Sequence, residues 1–256
     1  MTAWWPFGAK AFLEPEDEAW QIETWAWLLR RLGGRADLAK SPLVQPNRAF
    51  FPPIEATGHA RAEHIFAQVK AHARMEDWPT ELVDQPDRPE RKLGPLFVLK
   101  TDEGALPLGT FSHDGQRATI TYDPGSLQDP VTLVATLAHE LAHFRLAALR
   151  ELPPGGAEAV ELATDLTTVY LGFGAFGANC AFNFQQFQDG LTQGWKTSRQ
   201  GYLTERQWVF SLAIFQILRG EEVDTLRPLL KGHLYADLCR AYKSLNGRPS
   251  LLAGLG

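Results

Sequence analysis

The chain has 256 residues, a net charge of −5, and hydrophobic and charged fractions of 45% and 21%. That length accommodates one large domain or two small ones around a sizeable core, and the composition is that of a globular protein. No Lys/Arg cluster is denser than Arg88, Arg91 and Lys92, which acidic residues interrupt, so neither nucleic acid nor an anionic membrane surface is an expected partner.

The chain begins without a charged segment leading into an apolar one, so no secretory signal is expected. Residues 16 to 32 read as a helix, with Glu16, Asp17 and Glu18 in its first turn and Gly33-Gly34 at its stop. It carries Trp20, Trp25 and Trp27 after Trp4 and Trp5, a density that suits packing onto a core better than a ligand surface. From Arg35 to Gly58 the composition turns Pro-rich and irregular, which places a domain boundary there: an aromatic-rich helix and extended arm over 1–58, and a main domain over 59–256. A second helix is expected from about Ala60 to Met75. Pro79, Pro86, Pro89 and Pro95 then punctuate a loop.

Leu96 to Leu99 is a short apolar run with strand character. Gly109 to Ser112 and Ala118 to Tyr122, flanking Asp114-Gly115, predict a hairpin. From Asp129 onward the pattern is helical almost to the end. Thr204 and Gln207 form a capping-box signature for a helix that stops at Gly220. Residues 166 to 188 carry no charge, but Gly172, Gly174, Gly177, Asn179 and Asn183 make them a buried interior rather than a membrane span. The two cysteines, Cys180 and Cys239, have no metal-like spacing and fit a reducing, cytoplasmic setting. The element order, few strands among many helices, predicts a predominantly helical α+β fold.

One constellation carries chemistry. The run VTLVATLAHELAHF contains HExxH at His139-Glu140-Leu141-Ala142-His143, in good helix formers behind the start signal Asp129-Pro130. The motif would arise by chance in roughly one chain in a hundred of this length. Residues i and i+4 share a helix face, so both imidazoles can reach one ion. Zinc suits two neutral imidazoles and a carboxylate with a position left for water, and Glu140 is placed to act as general base.

After a Pro153-Pro154-Gly155-Gly156 turn comes a second helical run, AEAVELATDLTTVYLG. Glu161 lies 18 residues past His143, enough for one helix to end and another to return antiparallel, and is the expected third ligand. Asp165, one turn on, would accept the spare N–H of a ligand histidine. It is the only charge between Ala163 and Gln188, and a lone buried carboxylate needs a partner. Glu158 and Asp165 stay open as alternative third ligands. His59, His64, His72 and His113 receive no role.

HELAH followed by ELATD resembles the gluzincin metallopeptidases, in which HExxH precedes a helix bearing ExxxD. The likeness covers roughly residues 117 to 175. It implies a zincin-like core: a small, mostly antiparallel sheet, an active-site helix and a glutamate helix, with further helices at both ends. It also implies zinc on His139, His143 and Glu161, Glu140 as the catalytic glutamate and Asp165 as support. Residues 118 to 122 would be the edge strand that pairs with an extended peptide or protein substrate. Arg145 departs from the pattern, which usually has an apolar residue there, and Leu146 and Leu149 stand where metzincins have Gly and His. The expected function is zinc-dependent peptide hydrolysis; the alternative is a catalytically silent zincin-like domain that binds or regulates a partner. An oxyanion-stabilising residue is not singled out: Tyr170, Tyr202, His233 and Tyr235 are all candidates.

Overall fold

The computed structural model describes residues 11–85, 109–113, 117–188 and 202–255, of which 113 and 182–188 are described by their backbone. Trp4, Trp5, the Leu96–Leu99 run and the Asp114-Gly115 turn lie outside these residues. The described residues are mostly helical with one small sheet. Nine α-helices are described: α1 (Pro15–Arg31), α2 (Gly34–Leu38), α3 (Gly58–His72), α4 (Pro130–Ala147), α5 (Val160–Tyr170), α6 (Gly174–Gln188), α7 (Glu205–Arg219), α8 (Gly232–Asn246) and α9 (Pro249–Leu252). Three strands, β1 (Thr80–Asp84), β2 (Gly109–His113) and β3 (Ala118–Tyr122), lie between α3 and α4.

The helix ends follow the local chemistry. Pro15 opens α1, acidic Glu16, Asp17 and Glu18 occupy its first turn and Arg30 and Arg31 its last, each sign matched to the helix dipole. At α4 the Asp129 carboxylate accepts from the Thr132 amide and hydroxyl, and Pro130 sits where no amide is needed. Thr204 and Gln207 close a reciprocal capping box on α7, and Gly220 ends it at φ 69°.

The sheet corrects two expectations. It is mixed rather than mostly antiparallel: β2 and β3 form the expected antiparallel hairpin, but β1 pairs with β3 in parallel. The order β1-β3-β2 also makes residues 118–122 the central strand, not an edge. Among the described residues the edge facing α4 is β2. β3 alternates as a central strand should, with Ala118, Ile120 and Tyr122 buried. β1 occupies what reads as a Pro-punctuated loop, and only Leu82 of it is buried.

α4 is the central helix. From Thr132 to Ala142 every residue is buried, because α3, α5, α6 and the sheet surround it. α5 lies beside it, ending where Gly172 takes φ 97° and approaches Pro42 so closely that a Cβ would stand 1.9 Å from the Pro42 carbonyl oxygen. Only glycine fits there. The uncharged stretch is interior, with Leu166 to Val169, Tyr170 and Phe173 buried, and no described helix is long and apolar enough to cross a membrane.

The tryptophans of α1 tie it to this core. Trp25 is fully buried and donates to Ser211 Oγ of α7 at 2.9 Å; Trp20 donates to Pro154 O at 2.8 Å and Trp27 to Glu151 Oε1 at 2.5 Å. α1, α3 and α4 to α8 all contribute to one buried hydrophobic cluster.

A polar brace joins α2 to the end of α3. Arg74 donates to both oxygens of Asp37, at 2.9 and 2.7 Å, and the Tyr170 hydroxyl lies 3.2 Å from Asp37 Oδ2. The hydrogen bonds from Arg74 outweigh burial and hold the Asp37 carboxyl below its ordinary value of 3.8. A group so lowered contributes stability above its unfolded-state value and loses it as the pH falls through its folded-state value. Asp37→Asn should therefore destabilise the protein by roughly 1–3 kcal/mol at neutral pH. In urea unfolding measured across pH, the gap to the unsubstituted protein should shrink below about pH 4; a gap independent of pH would contradict the assignment.

Candidate metal centre

α4 projects His139 and His143 from one face, one turn apart, as the spacing demands. α5 presents Glu161, Thr164 and Asp165 from the facing side, positions i, i+3 and i+4 of one stripe. The structure brings His139 Nε2, His143 Nε2 and Glu161 Oε2 together: the two nitrogens are 3.1 Å apart, and each lies 3.3 Å from the carboxylate oxygen. Among the described residues this is the one group of histidine, cysteine or acidic side chains arranged to hold a metal ion.

The far side of each ring is occupied. His139 Nδ1 lies 2.9 Å from Asp165 Oδ1, while Asp165 Oδ2 accepts from the Leu203 amide at 2.8 Å. An ionised carboxylate only accepts, so beside ionised Asp165 His139 carries a proton on Nδ1 and turns Nε2 toward the cluster. Thr164 donates its hydroxyl to Val160 O at 2.8 Å, which leaves its oxygen to accept from His143 Nδ1 at 3.2 Å. His143 is thereby fixed in the same tautomer. With both imidazoles neutral, as metal ligands are, three acceptors converge on one point.

Charge sharpens the point. Glu140, Glu161 and Asp165 surround the two rings, and among the described residues no Lys or Arg pairs with any of them. Burial alone would lower the His139 pKa, but hydrogen bonds to Asp165 and Glu161 overcome it and raise the value to about 10. Burial works against ionised Glu161 too, and its contacts with His139 and His143 nonetheless hold it well below the ordinary carboxylate value. Both directions describe a pocket that demands positive charge.

A divalent cation would meet that demand. Two imidazoles and one carboxylate are a zinc donor set rather than one for calcium or magnesium, which prefer oxygen. Ligand atoms about 2.1 Å from a tetrahedral zinc ion stand about 3.4 Å from one another; the separations here are 3.1, 3.3 and 3.3 Å. The side chains fit the ion. His139 is 7% exposed but the Glu161 side chain 42%, so the cluster opens on the Glu161 side.

Glu140 lies next to the cluster and outside it. It is 6% exposed, and its carboxylate accepts no hydrogen bond from any described residue. Burial raises its pKa, against the pull of the two histidines. Both properties suit a group that takes up a proton.

The other candidates separate cleanly. Glu158 is exposed and faces a surface cavity with Glu16, Asp17 and Trp20, and Asp165 is committed behind His139. Tyr170 is buried between Leu32 O and Asp37. His233 pairs with Glu205, and Tyr235 donates to Asp224. Only Tyr202 reaches the rings: its ring meets that of His139 edge-on at a centroid distance of 5.2 Å. Burial raises its phenol pKa, and Glu161, Asp165 and Glu140 add to the rise, so it stays protonated.

Three contributors are not apparent in the sequence reading. Thr164 fixes the His143 tautomer, and its i+3 spacing from Glu161 is the signal that marks it. Phe111 of β2 stacks over His143, at 6.1 Å between ring centroids and 8° between planes. Gly109 of β2 lets the strand approach α4: a Cβ there would stand 2.6 Å from Thr136 Cγ2, 2.9 Å from Thr121 O and 3.2 Å from Glu140 Oε1. Gly109→Ala should destabilise the protein by about 1–3 kcal/mol. Adding Thr136→Ser, which removes the clashing methyl, should restore part of that loss in urea unfolding. A Gly109→Ala variant as stable as the parent would show that the strand does not pack this closely.

Comparison with known proteins assigns no family: no protein-family model, no curated protein and no solved structure matches the chain.

Proposed function

We propose that the protein is a zinc-dependent hydrolase, and specifically a metallopeptidase with Glu140 as its general base. The observation that carries this reading is the convergence of His139 Nε2, His143 Nε2 and Glu161 Oε2, each 3.1–3.3 Å from the others, beside a buried carboxylate with no hydrogen-bond partner among the described residues. A purely structural zinc site has no use for Glu140. The likeness of HELAH and ELATD to the gluzincin metallopeptidases supports the same reaction class.

In this reading His139, His143 and Glu161 hold the ion. When bound, it supplies Lewis acidity and makes water acidic enough to lose a proton near neutral pH. Glu140 receives that proton and passes it to the leaving amine. Asp165 and Thr164 keep both imidazoles in the tautomer that presents Nε2. Tyr202 is the candidate donor to the oxygen on which negative charge develops. β2, the described edge strand beside α4, is the candidate partner for an extended peptide backbone. It takes the part that the sequence suggests for residues 118–122.

Two variants separate these roles. Glu140→Gln should retain stoichiometric zinc and the parental unfolding transition, yet lose peptide hydrolysis by a factor on the order of 10²–10⁴. Unchanged turnover in that variant would overturn Glu140 as base. Tyr202→Phe should keep zinc content and KM but lower kcat by about 10–10³; a change in KM alone would assign Tyr202 to substrate binding instead.

A further inference from the structure

A second cavity lies on α4 away from the metal cluster. Its volume is about 490 Å³, within the range of small-molecule sites. Its walls come from the extended segment before α3, from α3, from the start of α4 and from α6, and they are largely apolar: Phe51 and Pro52, then Ile65, then Val131 and Val134, then Phe176. Ile54, 45% exposed, also lines it. His139 is five residues beyond Val134, about 7.5 Å further along the helix axis. None of His139, Glu140, His143, Glu161 or Asp165 lines this cavity.

The polar lining is one-sided. Arg48, Arg61 and His64 contribute to it, and no acidic residue does, in a chain whose net charge is −5. Among the described residues neither the Arg48 nor the Arg61 guanidinium makes a hydrogen bond, an ion pair or a ring contact. By contrast Arg31, Arg74, Arg206 and Arg248 are each paired with an acid. Guanidinium groups match carboxylates through paired N–H donors. The apolar walls, meanwhile, gain from covering a hydrocarbon body.

We propose that this cavity binds an aliphatic carboxylate, its chain against Val131, Val134 and Ile65 and its head group at Arg48 and Arg61. The site is independent of the metal centre and of the hydrolase reading.

Isothermal titration of the full chain with octanoate, 1-octanol and octylammonium tests it. Octanoate should saturate one site, and the neutral and cationic analogues should bind at least about tenfold more weakly. The Arg48→Gln/Arg61→Gln double variant should lose about tenfold or more in octanoate affinity with an unchanged unfolding transition. Ala56→Trp, which narrows the cavity while keeping both arginines, should also lose binding. Removing metal with a chelator should leave octanoate affinity as it was, since carboxylates also coordinate zinc. No saturable octanoate binding, equal affinity for 1-octanol, or undiminished binding by the double variant would overturn the proposal. Loss of binding on chelation would instead move the carboxylate to the metal centre. An acetylated Ala-Leu-Leu peptide that bound more tightly than octanoate would replace the small-molecule assignment with a peptide carboxy-terminus.

Discussion

Two imidazole nitrogens and a carboxylate oxygen are held about 3 Å apart, an arrangement that needs positive charge among them, supplied by a proton or by a cation. The chain stabilises this arrangement from behind. The Asp165 carboxylate fixes His139, the Thr164 hydroxyl fixes His143, and the Leu203 amide fixes Asp165. These supports come from α5 and the chain entering α7, so the cluster exists only once both are assembled against α4.

The fold reads as the means of holding that assembly. α4 is buried on all sides, which removes its freedom to rotate and keeps its two histidines aimed at α5. α5 is anchored at its end by the Gly172 approach to Pro42 and flanked by α1, whose Trp25 reaches across to Ser211 of α7. On the opposite side β2 lies against α4 close enough that only glycine fits at position 109. Glu140 is thus confined between helix and strand, buried but without a hydrogen-bond partner among the described residues. Burying a carboxylate in that way is costly; functional sites are where such costs persist.

Local chemistry made part of this legible from the residues alone. The HExxH and ExxxD spacings place side chains on one face of a helix whatever the rest of the chain does, and the ends of α4 and α7 are written in Asp129-Pro130 and Thr204/Gln207. The hairpin of β2 and β3 follows from alternation around a turn. What was not legible is non-local. β1 has a single buried residue, Leu82, so it shows no alternation, and its parallel pairing with β3 depends on contacts distant in sequence. That pairing is what moves residues 118–122 from the edge of the sheet to its centre. α2 is too short to show a period. Tyr202 stood among four equivalent candidates until the fold put Tyr170, His233 and Tyr235 elsewhere, and Gly109 looks like any turn-flanking glycine until α4 is packed against it.

The charge balance decides the account. Three carboxylates and two imidazoles meet in one cluster, with no Lys or Arg paired to them among the described residues, and a divalent ion would balance that charge. The direct measurement is anomalous diffraction at the zinc absorption edge from crystals of the purified protein. The account predicts a single strong peak bounded by His139 Nε2, His143 Nε2 and Glu161 Oε2, about 2.0–2.2 Å from each. No peak there after zinc is supplied in excess, with the three side chains turned apart, would contradict it.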